Sequence, residues 1–521
     1  MSNPLLSNTD LPQFSQIKPE HIVPAIEQLL ADARATVEKV LADNSLYTWD
    51  NLIAPIDTVE DKISRAWSPI SHMNSVTNND DLRDAYNECL PKLSEYSTEM
   101  GQHDALFKAY TSISESDSYA SLETAQKKII QNSLRSFRLS GIALDDEKKA
   151  QYKDINLELS QLTSRYEENL LDATNDWSKL IKKKSGLAGL PESALQQAKQ
   201  TAEMEGEKGW MLSLQFPSYL AVMTYADDRQ LRADMYKAFS TRASELGADT
   251  DWDNTQIMDS LIALRHKKAQ LLGFNNYAEL SLATKMADTP KQVTDFLEEL
   301  AEKSLPQAKQ DLTDLTAFTT EHYGVNKLFA WDIGYFSEKM RQHAYDLSQE
   351  EVKKYFPAPK VLSGLFKVVE KLYGLQISEE HDIDTWHEEV RFFQILDKAG
   401  ELRGKFYIDL YARAQKRGGA WMDDCVGRKK TADGLQSPVA YLTCNFTPPT
   451  ANDPALLTHD EVLTLFHEFG HGLQHMLTQV DHLGVSGISG VEWDAVELPS
   501  QFMENWCWEK EALDLISGHY Q

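Results

Sequence analysis

Cysteine is scarce in this 521-residue chain: Cys89, Cys425, Cys444 and Cys507 are widely scattered and show no C-x-x-C spacing. They make no disulfide framework and read as reduced thiols in a cytosolic protein. Positive charge is also short, with 52 Lys and Arg against 80 Asp and Glu and a net charge of -28. A nucleic-acid partner needs a basic surface, so that class is excluded. No apolar run approaches the ~20 residues needed to cross a bilayer, so no membrane association is expected. The opening MSNPLLSNTDLPQFSQ lacks a basic region followed by an apolar one, so no secretory signal is read there and a cytoplasmic protein is expected. Internal repeats, low-complexity tracts and long linkers are missing as well. What remains, 42% hydrophobic and 25% charged residues, is ordinary for a soluble globular protein. The length allows several domains or one large helical body with subdomains.

Most of the chain up to about residue 375 carries helical periodicity. Ile22, Ile26, Leu29, Leu30, Ala33, Val37 and Val40 mark a helix over 20–43, with Pro24 near its start. Segments 79–112 and 122–138 continue the pattern. In 144–183 the stripe Tyr152, Ile155, Leu159, Leu162, Tyr166, Leu170 and Leu171 predicts a long helical hairpin. Lys182, Lys183 and Lys184 then read as its solvated end. Joints are expected at Ser185-Gly186, at 206–209, at 247–250 and at 324–326. Helices resume at 226–245, 253–272, 290–322 and 334–347. Such stripes are core packing and carry no chemistry.

The pattern changes after about residue 374. Val390–Leu396 and Lys405–Tyr411, joined by a turn at Asp397–Gly400, read as a hairpin, and Pro438–Phe446 as a third strand. The uncharged alternation of Val439–Phe446 predicts a strand with one edge free to pair with an extended peptide. Between these strands, 417–424 reads as a flexible segment, and Asp423 and Asp424 as a solvated turn rather than metal ligands.

The chemistry lies in 458–504. His467-Glu468-Phe469-Gly470-His471 is the H-E-x-x-H pattern of a zinc metallopeptidase. With 14 histidines in the chain, chance placement yields only ~0.03 such matches. Thr458 and Glu461 form a capping box ahead of Val462, Leu463, Leu465 and Phe466, so the motif falls on a helix. There His467 and His471 stack on one face and can share a metal, while Glu468 lies to the side, within reach of a water on it. His475, about 80° round from His467 and ~12 Å along, cannot join them and reads as a polar residue near the helix end. A catalytic zinc wants a third protein ligand. Glu492, Asp494 and Glu497 are the acids on offer downstream. Glu497 is favoured, because Pro499 suits a first helical turn and a second helix should begin near Val496.

The runs HEFGHGLQHML and WDAVELPSQFMENWCWE, with LPQFSQIKPEHIVPAIEQLL, GGAWMDDCVGRKK and PVAYLTCNFTPP elsewhere, resemble the thimet oligopeptidase family of zinc peptidases along the whole chain. Gln474 is a small departure, at a position that is not a ligand. The resemblance implies that His467, His471 and Glu497 bind one zinc and that Glu468 is the general base. It implies a mainly α fold: two largely helical halves flanking a deep channel, with a small β-sheet beside the zinc helix. Residues 1–220 would form an N-terminal helical region and 221–521 the catalytic region. The expected activity is internal cleavage of short unstructured peptides by a monomer. An exopeptidase and a non-catalytic zinc- or peptide-binding protein are the other classes open. The family also implies a further C-terminal helical segment that brings Tyr and His side chains to the oxyanion, and Tyr520 lies too early to match it. On that basis the chain is expected to be truncated and weakly active or inactive alone, with Trp506, Trp508 and Leu513 among the candidates for exposure.

Overall fold

Apolar residues at helical spacing build most of the molecule. The computed structural model describes residues 3–7, 9–247, 250–431, 434–450 and 454–521, and it is mainly α. The Pro19–Asp43 helix opens with proline in its first turn and buries Ile22, Ile26, Leu30 and Ala33. These pack with Ile63 and Ile70 of Ala54–Val76 and Leu82 and Cys89 of Asp80–Gly101 in one core. The periodic stretch 79–112 is interrupted after Gly101. His103 caps the next helix, Asp104–Ser114, by accepting the Leu106 N–H.

The expected hairpin over 144–183 is instead one 31-residue helix, Asp146–Asp176. No glycine or proline falls within it, so nothing local ends it. It is followed by the strand Ser178–Ile181, paired antiparallel with Trp210–Ser213. Lys182, Lys183 and Lys184 therefore follow a strand, not a helix end. Of the joint expected at 247–250, Ala248 and Asp249 lie outside the described residues. The 34-residue helix Pro290–Tyr323 stops at Gly324, whose φ of 68° is the left-handed conformation that favours glycine.

A five-stranded sheet organises the C-terminal part. Its spatial order is Gln376–Glu380, Arg391–Leu396, Leu402–Tyr411, Val439–Phe446, Trp421–Val426. Neighbours are antiparallel except Leu402–Tyr411 with Val439–Phe446, which run parallel. Alternate residues of Val439–Phe446 serve two cores. Ala440, Leu442, Cys444 and Phe446 pack under the His459–Met476 helix with Phe466, Phe469 and Leu473. Val439 and Tyr441 face the opposite side, against Phe14, Phe392 and Tyr407.

Val439–Phe446 is thus an interior strand with both edges paired, contrary to the free edge expected of it. The edge belongs to Trp421–Val426, in the stretch read as flexible. Asp423 and Asp424 lie in that strand, not in a turn. Near the C-terminus, Trp508 is exposed, but Trp506 and Leu513 pack against the core, so exposure holds for one of three.

Candidate metal centre

The helix that carries the histidines is set by its ends and its apolar face. The Thr458 hydroxyl accepts the Glu461 N–H at 3.1 Å and Glu461 Oε2 accepts the Thr458 N–H at 2.7 Å, closing the capping box. Val462, Leu465, Phe466, Phe469, Leu473 and Met476 fix the helix on the sheet. His467 and His471 are left facing away from that core, with side chains 24% and 13% exposed.

The facing element is Leu498–Glu504, which has proline in its first turn and Glu497 at its N-terminal cap. The expected start near Val496 is therefore displaced by two residues, behind a single turn at Trp493–Ala495. Glu497 Oε2 lies 3.1 Å from His467 Nε2 and 3.0 Å from His471 Nε2. Zinc bonds of about 2.0–2.1 Å in a tetrahedron set neighbouring donors roughly 3.3 Å apart, so the donor set fits that ion. Ser500 Oγ donates to Oε2 and to the Glu497 carbonyl, at 2.8 Å each, and so orients the carboxylate.

The two helices approach closely because residue 470 is glycine. A Cβ there would lie 2.5 Å from the Pro499 carbonyl oxygen and 2.6 Å from Ser500 Cα. The approach brings Glu504 within 2.7 Å of His467 Nδ1. The Nδ1–H donates to this carboxylate, which leaves the Nε2 lone pair directed at Glu497. The sequence places Glu504 seven residues beyond Glu497 and assigns it no function. The i, i+7 spacing from Glu497 was the only available signal, and it names no partner.

Glu468 is not one of the clustered donors. It is buried, and burial pushes its carboxyl up to about 7. The charge of Glu497 acts in the same direction as burial, while His467 and the Met422 backbone oppose it. Burial also lowers the pKa of His471, favouring the neutral imidazole a metal requires.

The remaining acids are drawn elsewhere. Glu492 pairs with Lys128 at 3.3 Å, and the Asp494 carboxylate accepts the backbone N–H groups of Met286 and Ala287 at 2.9–3.0 Å. Glu492 thereby ties the segment before Glu497 to the Thr124–Leu139 helix, and Asp494 ties it to the connection between Tyr277–Leu282 and Pro290–Tyr323. His475 is not brought to the cluster. It is buried, and its Nε2 donates to the Val426 carbonyl at 2.9 Å, pinning the end of the edge strand to the helix. The other end of that strand meets the site, where the Met422 backbone faces Glu468.

Comparison with known proteins agrees along the chain. The model of peptidase family M3 matches residues 222–521, and that of the neurolysin/thimet oligopeptidase N-terminal domain matches residues 26–149. The chain is 57% identical to oligopeptidase A of Salmonella typhimurium and 56% identical to that of Escherichia coli. Each alignment covers 100% of this chain and 77% of the relative. Among solved structures, Pz peptidase A with an inhibitor aligns at a TM-score of 0.58 and 18% identity, over 96% of this chain and 71% of that one. That last likeness is one of fold.

Proposed function

The chain belongs to peptidase family M3, and from that membership we propose that it is a zinc-dependent endopeptidase that cleaves short unstructured peptides in the cytosol. The observation that carries this reading is the convergence of His467, His471 and Glu497, whose Oε2 lies 3.1 Å from His467 Nε2 and 3.0 Å from His471 Nε2, with the buried Glu468 next to His467 in the chain. His467, His471 and Glu497 hold the metal, and Ser500 and Glu504 orient two of these ligands. The chemistry a bound zinc supplies is Lewis acidity and a water of lowered pKa.

Glu468 accepts a proton from the attacking water and returns it to the leaving amine. A carboxyl held near neutrality suits both transfers. The substrate lies extended along the free edge of Trp421–Val426, whose main chain supplies hydrogen bonds without demanding a sequence. This replaces Val439–Phe446 in that role. Two helical halves, divided near residue 220, flank a channel that admits peptides and excludes folded proteins. The enzyme works as a monomer. No helix among the described residues is long and apolar enough to cross a membrane.

The test combines metal content with turnover. One zinc per chain is expected, and Glu468→Gln should retain it while losing hydrolysis. If that variant lost zinc as readily as His467→Ala, the division between ligand and base would be wrong. Internal cleavage of a peptide blocked at both ends distinguishes an endopeptidase from an exopeptidase. Release of terminal fragments only, from unblocked peptides, would overturn the endopeptidase reading.

A further inference from the structure

Apart from the metal centre, the described residues line an open cavity of about 540 Å³, a volume in the range of small-ligand sites. Its walls come from the helices Ala54–Val76, Asp80–Gly101, Asp146–Asp176 and Thr255–Leu271, with Arg417 at one side. Three cations line it, Arg265, Lys268 and Arg417, against two carboxylates, Glu167 and Glu168.

The carboxylates are committed locally. Glu168 is buried, accepts from Asn87 Nδ2 at 2.7 Å and Ser164 Oγ at 3.1 Å, and lies 3.9 Å from Arg165. Glu167 and Arg417 stand 3.7 Å apart with side chains 55% and 44% exposed, a pairing that water weakens. Arg265 and Lys268 have no carboxylate partner among the described residues. Arg265 lies over the Tyr277 ring at 5.5 Å. Lys268 donates to Asn156 Oδ1 at 2.7 Å and sits 5.1 Å from the Tyr152 ring. A surplus of positive charge thus collects in one cavity of a chain whose net charge is -28.

Arg417 joins this cavity to the edge strand. Its backbone N–H donates to the Ser75 carbonyl at 2.8 Å, and its guanidinium lies 4.5 Å over the Trp421 ring. Trp421 begins the free-edged strand, one residue before the Met422 backbone that faces Glu468. Arg417 therefore borders both the cavity and the Trp421 end of that edge.

Resting on the peptidase reading above, we propose that this cavity is a subsite for a peptide carboxylate, supplied by the free C-terminus of the substrate. Arg265 and Lys268 receive the anion, and Arg417 stands at the mouth. Every short peptide carries such a group whatever its sequence, so the subsite favours peptides over long chains without restricting side chains. Charge-assisted hydrogen bonds of this kind are among the stronger ones available to a ligand.

The experiment measures binding by fluorescence anisotropy, and cleavage in parallel, with three labelled peptides of one neutral sequence. One has a free C-terminal acid, one a C-terminal amide, and one a C-terminal amide with glutamate as the last residue. The acid should bind about tenfold more tightly than the plain amide at low salt, and the difference should shrink as ionic strength rises. Arg265→Ala with Lys268→Ala should bring the acid-to-amide ratio close to one, and Lys268→Arg should preserve it. Equal binding of acid and amide by the parent chain would overturn the proposal, as would an unchanged ratio in the double variant. An amidated glutamate peptide that binds as tightly as the free acid would overturn the terminal assignment. Failure to bind or cleave any of the three would sink the peptidase reading along with it.

Discussion

Gly470→Ala tests how closely the two helices of the metal centre must lie. The added Cβ would stand 2.5 Å from the Pro499 carbonyl oxygen, 2.6 Å from Ser500 Cα and 2.9 Å from the Pro499 carbonyl carbon. Non-bonded carbons sit about 3.5–4.0 Å apart, so the helices must separate by roughly 1 Å. All three opposing atoms are backbone, so no change of rotamer relieves the clash. Forced overpacking costs about 1–3 kcal/mol, and alanine's better helix propensity recovers at most ~1 kcal/mol. The expected loss of stability is therefore about 1–2 kcal/mol. The effect on zinc should be larger in relative terms. Glu497 stands two residues before Pro499 and would leave its position 3.0–3.1 Å from both imidazoles. Disturbed support of metal ligands weakens binding by about 10–100-fold, so at least a tenfold loss is expected. Gly472→Ala is the internal control. Its Cβ would meet Leu442 Cδ2 at 3.1 Å and Met476 Cε at 3.2 Å, both ends of flexible side chains. It should keep the parent's zinc affinity. Competition with a chromogenic chelator and thermal melts with and without zinc read both quantities. Parent-like zinc affinity in Gly470→Ala, or equal losses in the two variants, would refute the reasoning.

Glu504→Ala should weaken zinc binding by about 10–100-fold by freeing His467 Nδ1, whereas Glu504→Gln, which keeps an acceptor oxygen, should lose less; an unchanged affinity in the alanine variant would remove Glu504 from the site. Glu497→Ala should reduce zinc affinity far more than Glu492→Ala or Asp494→Ala, whose carboxylates are engaged by Lys128 and by the backbone at Met286 and Ala287. Equal losses in chelator competition would move the third ligand elsewhere. Glu468 has a folded pKa of about 7 against an ordinary 4.5, so between those values the folded metal-free chain holds a proton that the unfolded chain has released. Stability should therefore fall as pH rises through that window and stay low above it. Metal-free Glu468→Gln should melt above the parent at pH 8 and alongside it at pH 5, and the same gap at both pH values would contradict the burial argument.

Several features of the molecule were legible because their causes are local. The capping box at Thr458 and Glu461 needs three residues and a helix. The i, i+4 histidines follow from 3.6 residues per turn, and the proline at 499 marks a first turn wherever the helix lies. The hairpin at Arg391–Leu396 and Leu402–Tyr411 was legible for the same reason, since short turn chemistry joins it. The stripe over 144–183 was legible as helix but not as one straight element, because periodicity says which residues are buried and not against what.

What only tertiary structure decided is every pairing between distant segments. Trp421–Val426 follows Leu402–Tyr411 in the chain but docks beyond Val439–Phe446, which buries the strand expected to be open and opens the one read as loop. Alternation in a sequence marks a strand's faces, whereas its edges depend on which partners arrive. Glu504 became a partner of His467, and His475 a strut to Val426, through contacts that span 37 and 49 residues. The residue pattern alone determined that a capped helix carrying two stacked histidines was present. The packing of Gly470 on Pro499 and Ser500 decided which carboxylates could reach it, because only the closed distance between two backbones sets that geometry.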